Sequence, residues 1–109
     1  MFNVYAENWK FKASHYSQNG NNALMIVETT AKGFEVEMYC MCSINPGVLV
    51  PEDYLAVKDY SENEGMVEFL KAEGVIEGDP VGKIPSGFVE IPVYVLTQKG
   101  LDIFKDAVD

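Results

Sequence analysis

Arginine is absent from this chain: its eight basic residues are all lysines, set against seventeen acids, for a net charge of -9. Arginine is the preferred fork for phosphates and base edges, and nucleic-acid affinity comes from neutralised phosphates. Direct binding to DNA or RNA is therefore disfavoured, and so is an anionic membrane surface. No run approaches the roughly 18 consecutive apolar residues of a membrane helix. The start, Met1-Phe2-Asn3-Val4-Tyr5-Ala6-Glu7, has no basic region followed by an apolar core, so it does not read as a secretory signal. Cysteine is scarce as well. Cys40 and Cys42 point the same way in an extended segment, would not easily bridge, and read as reduced thiols of a cytoplasmic protein.

What is present is an ordinary globular composition, 48% hydrophobic and 23% charged, over 109 residues. That length supports one domain, 1–109, with a single core and no need of a disulfide or metal. Asn3 to Tyr16 reads as one or two strands, Gln18 to Asn22 as a turn, Ala23 to Thr30 as a strand and Ala31-Lys32-Gly33 as a second turn. In Phe34 to Ser43 the alternation puts Phe34, Val36, Met38, Cys40 and Cys42 on one face, expected to be buried. A short strand follows within Val48 to Tyr60.

Ser61 and Glu64 fit a capping box that opens a helix with Met66, Phe69 and Leu70 on its apolar stripe and Gly74 as its stop. Gly65 early in that helix suggests a close backbone neighbour. Glycines and prolines mark 77–87 as a loop. Phe88 to Leu96 is a strand with Val89, Ile91, Val93 and Val95 on one face, and Pro92 places it at an edge or a bulge. Thr97 caps a last helix in which Leu101, Phe104 and Val108 share a face. The expected class is α+β: a mostly antiparallel sheet of four to five strands, with about two helices packed on one face. Val36, Met38, Cys40, Phe69, Leu70, Val89, Ile91 and Val93 form the expected core.

Lys58-Asp59-Tyr60-Ser61-Glu62-Asn63-Glu64-Gly65-Met66 and Pro85-Ser86-Gly87-Phe88-Val89-Glu90-Ile91-Pro92-Val93 together resemble a family of short bacterial proteins of unknown function. Its members are carried on plasmids and other mobile elements, and the resemblance covers about residues 50–96. It implies a bacterial, cytoplasmic accessory protein, and it brings no activity or site residues.

Motifs that would carry chemistry fail on spacing. Asp59-x-Ser61-x-Asn63 begins like a calcium loop, but the glycine position is Glu64 and the final bidentate position is Leu70. Cys40, Cys42 and His15 lack paired zinc-ligand spacing and a fourth ligand. The cysteines have apolar or acidic sequence neighbours, which does not activate a thiol. Lys83 lies in a glycine-rich stretch without the order of a phosphate loop. No catalytic residue, metal site or cofactor is therefore assigned. The acidic run is what remains: seven acids against Lys71 from Asp59 to Asp79. A solvated surface accounts for it most simply. The functional reading is a docking surface (Asp59, Glu62, Glu68, Glu73, Glu77, Asp79) for a protein partner with a basic face. The alternative is a small-molecule or peptide site on an aromatic sheet face carrying Trp9, Tyr16 and Tyr39.

Overall fold

Glycine reverses the chain twice in its first half, at Gly20 (φ 78°) and Gly33 (φ 87°), both in the left-handed region. In the computed structural model, which describes residues 2–107, strands β1 (Trp9–His15), β2 (Asn22–Thr29) and β3 (Glu35–Met41) consequently pair antiparallel in the order β1-β2-β3. A second sheet holds β4 (Tyr54–Ala56), β5 (Ile76–Ser86) and β6 (Val89–Leu96), antiparallel in the order β4-β6-β5. Helix α1 (Met66–Ala72) precedes β5, and α2 (Gln98–Lys105) follows β6.

The class is α+β, as the sequence predicts, but among the described residues the strands number six and divide between two sheets. The sheets meet at a corner. Past the end of β3, Ser43 bridges Val57 just beyond β4. Ile44 N–H donates to Ala56 O at 3.1 Å, and Lys58 N–H donates to Cys42 O at 2.9 Å. One core fills the angle between them. Leu24 and Ile26 of β2, Leu55, Val57, Met66 and Leu70 are all fully buried there, each contributing roughly 1.5–3 kcal/mol by leaving water. Leu101, Ile103 and Phe104 of α2 pack against the same core. A smaller cluster of Ala56, Ile91 and Val93 lies under Ile44, Val50, Tyr54 and Ile84.

β3 departs from its expected facing. Val36 and Met38 are 58% and 56% exposed, Phe34 is exposed as well, and Cys40 is half-buried. The cause is a pair of register shifts against β2. Cys40 faces Ile26 while Met38, not Tyr39, faces Val27; a second shift skips Val36 between Glu37 and Glu35. Each extra residue re-phases the alternation, so Cys40 stays on the core side and Met38 turns to the other.

The expected loop at 77–87 is instead most of β5. Glu77 pairs with Val95 and the next pair is Gly82 with Val93, so 78–81 bulge out of the ladder. Gly78 (φ 77°) and Pro80 mark that bulge rather than the end of a strand. β5 is an edge strand, which tolerates Pro85. Pro92 lies in the central strand of this sheet, but one residue past the last pair with β4, Ala56 with Val93. There its carbonyl accepts from Val57 N–H at 3.0 Å, and Lys83 of β5 is its partner on the other side.

The end of α1 and the start of α2 follow expectation. Val75 N–H donates to Leu70 O and Gly74 N–H to Lys71 O, closing a Schellman motif around Gly74 (φ 76°). Thr97 Oγ1 accepts from Gly100 N–H at 3.1 Å. A close backbone approach lies at Gly100, where an added Cβ would run into Val75 O. Gly65 takes a φ of 97°. Phe69 and Val89 are half-buried, and the Phe69 ring meets Phe2 edge-on at 5.0 Å. Val108 lies outside the described residues.

Candidate functional site

The acidic segment begins with a cap that spacing did not reveal. Ser61–Asn63 form a 3-10 turn with Ser61 at φ 57°, and α1 starts only after Gly65, with no side-chain cap from Ser61. The proposed Ser61–Glu64 capping box is therefore not formed. Asn63 explains the break: it is 2% exposed, and its Nδ2 donates to Met41 O at 2.6 Å. Asp59 supplies the cap from outside the helix, Oδ1 accepting from Gly65 N–H at 2.7 Å and Met66 N–H at 2.9 Å. One carboxylate satisfies two donors at the positive end of α1.

Glu62 is engaged as well. Its Oε1 meets Lys58 Nζ at 2.7 Å, and that bond, followed by bonds to its own backbone and Ser61, holds the carboxyl down at about 2 from an ordinary 4.5. The depressed value fixes the sign. The pair's stabilisation is complete above pH 4.5 and is lost as pH falls toward 2. A carbon-detected NMR titration should place the Glu62 midpoint near 2, and Lys58→Met should return it to the ordinary carboxylate range. An unchanged midpoint in that variant would assign the shift to the local backbone instead.

The other acids divide by position. Glu68 is exposed on α1, while Glu77 and Asp79 are exposed at the start of β5. Glu73, the C-cap of α1, is half-buried and its carbonyl accepts from Lys99 Nζ at 2.6 Å. Asp59 and Glu68 line one cavity of about 540 Å³ together with Glu64, Gly65, Val67 and Lys71. Lys71 Nζ stands 5.1 Å from the centroid of the Tyr94 ring. Burial, then the negative charges of Asp59 and Asp79, raise the Tyr94 hydroxyl above its ordinary value. Asp59, Glu64, Glu68 and Asp79 thus gather about Lys71 and Tyr94. Glu62 instead borders a separate cavity beside Tyr5 and Cys40. Glu64, assigned above to capping, and Tyr94 join the surface only through the fold.

The three aromatic residues of the alternative site do not share an open face. Trp9 packs edge-on against Phe11 at 5.2 Å, Tyr39 Oη accepts from Tyr5 N–H at 3.2 Å, and Tyr16 Oη shares a 3.0 Å hydrogen bond with Ser43 Oγ. A cleft of about 670 Å³ lies elsewhere, between His15, Asn22, Glu52, Asp53 and the α2 residues Gln98, Leu101, Phe104 and Lys105. Among the described residues no three His, Cys, Asp or Glu side chains group as metal ligands, and no helix is long and apolar enough to cross a membrane. Compared with known protein families, with curated proteins and with solved structures, the chain matches none of them.

Proposed function

We propose that this chain is a non-enzymatic interaction module, an accessory protein of a bacterial mobile element acting in the cytoplasm, whose acidic face docks on a basic surface of a protein partner. The observation that supports it is the convergence of Asp59, Glu64, Glu68 and Asp79 around Lys71 and Tyr94, from residues spread over two elements and a loop. Lys71 is drawn onto the aromatic ring, so a cation from outside meets carboxylates rather than a competing ammonium. Such a surface steers a basic partner, and the attraction is screened beyond about 10 Å at ordinary ionic strength.

Reversal of Glu68, Glu77 and Asp79 to lysine tests this. Capture of the partner by the immobilised chain should fall at least tenfold, while melting stays unchanged because exposed substitutions usually shift stability by less than about 0.5 kcal/mol. Capture by the natural chain should weaken as salt rises. Reversal of Glu73 alone, at the far end of α1, should leave capture intact. Asp59 and Glu62 are spared because each holds a local structure. Capture that survives the triple reversal would sink the acidic-face reading. The small-molecule or peptide reading would then pass to the His15 cleft, whose volume falls within the range of ligand pockets.

A further inference from the structure

β3 leaves its bulge at Tyr39 and delivers two cysteines to the corner where the sheets meet. Cys40 stands opposite Ile26 in the ladder, and Cys42 N–H donates to Leu24 O at 2.8 Å. Cys42 follows two residues on, at the bend just past the end of β3. Cys42 is fully buried. Cys40 is half-buried and opens on a cavity of about 370 Å³ that Phe2, Asn3, Tyr5, Tyr39, Glu62 and Asn63 complete. Both are free thiols, and each shifts the other's ionisation.

Their proximity acts oppositely on the two groups. It lowers Cys40, and the Lys58 ammonium adds to the effect against partial burial and the Glu62 charge. It raises Cys42 well above its ordinary value, with burial adding. Lys58 is held beside the pair by its backbone bond to Cys42 O. The flanks of the cysteines in the chain are apolar or acidic, and the cation arrives from across the corner, next to β4. A partly open thiol beside a cation, backed by a second thiol, is the setting of a redox-active cysteine.

We propose that Cys40 is a hydroperoxide-reactive thiol and Cys42 its resolving partner, the two cycling between dithiol and an intrachain disulfide. The Cys40 thiolate attacks one oxygen of the hydroperoxide; the S–O bond forms as the O–O bond breaks. The sulfur is oxidised to sulfenic acid, and the remaining oxygen takes up a proton and leaves as water or an alcohol. The Cys42 sulfur then attacks the Cys40 sulfur while giving up its proton. The S–S bond forms, the S–O bond breaks, and the oxygen leaves as water. A thiol reductant supplies the two electrons and two protons that restore the dithiol. Two residues of extended chain span at most roughly 7 Å between Cα atoms, near the upper limit of about 6.8 Å that bridged cysteines reach. Cys42 stands at the bend past the last residue of β3 and not in the extended segment expected, so closure asks for local adjustment there.

The test uses the full chain with hydrogen peroxide as the probe, read by intact mass and peptide mapping. The expected product has lost two hydrogens, maps to Cys40–Cys42, and reverts with dithiothreitol. Cys42→Ser should stop at a sulfenic acid that dimedone traps on Cys40, and Cys40→Ser should lose most of the reaction because Cys42 is shielded. A readout on the unsubstituted chain guards against misfolded variants: iodoacetamide at neutral pH should modify Cys40 several-fold faster than glutathione and leave Cys42 untouched. Alkylation of Cys40 no faster than glutathione, equal alkylation of both thiols, or only intermolecular disulfides after peroxide would overturn the assignment.

Discussion

Truncating Ile91 to alanine is expected to cost about 2–5 kcal/mol of unfolding free energy, whereas truncating Val36 leaves the denaturant midpoint nearly where it was. Ile91 is fully buried in the small cluster with Ala56 and Val93, under Ile44, Val50 and Ile84. The missing methylenes would leave a void that β6, fixed between two strands, cannot collapse to fill. Val36 is skipped by the second shift in β3 and is 58% exposed, so its side chain has little packing to lose. Urea titrations with a common slope would give both values on one scale. A cost at Val36 matching that at Ile91 would mean that the outer part of β3 faces a core after all.

The contrast shows where sequence patterning works. In the first half of β6 the period of two holds, and Ile91 and Val93 are buried as their spacing predicts; further on Tyr94 and Leu96 of the other face are buried and Val95 only half so. In β3 the same alternation continues through two extra residues, and nothing in the residue types announces them. Both turns at Gly20 and Gly33, the Gly74 stop and the Thr97 cap are local events, and local chemistry announces each of them. β5 was hidden because Gly78, Pro80 and Pro85 are punctuation for a loop and equally for a bulged edge strand. The corner between the sheets, a long-range contact between the ends of β3 and β4, has no local signal at all. The acidic surface shares that limit. Its residues could be named from the run, but which of them gather around Tyr94, and which cap α1 or pair with Lys58, depends on where the corner folds them. Lys58 lies beside Cys40 for the same reason, across a junction that sequence neighbours do not report.

Asn21 carries the second large effect. A run of asparagine and glycine reads as a solvated turn, yet Asn21 is 4% exposed. Its Nδ2 donates to Val48 O at 2.7 Å and to Asn45 Oδ1 at 3.3 Å, and its Oδ1 accepts from Val50 N–H at 2.8 Å. Asn22 beside it donates to Glu52 O at 2.7 Å and Tyr54 O at 2.9 Å. Two amides at the end of the first hairpin thus fasten the connection that leads into β4 and lays Ile44 and Val50 over Ile91 and Val93. Asn21→Ala strips Val48 O and Val50 N–H of this partner, at about 1–3 kcal/mol for each group that finds no other. Hydrogen exchange gives the local reading. The Val50 amide should be protected in the natural chain and exchange far faster in the variant, while Leu24 and Ile26 change only with global stability. Unchanged protection at Val50 would show that the apolar contacts of Ile44 and Val50 hold this segment without the amide.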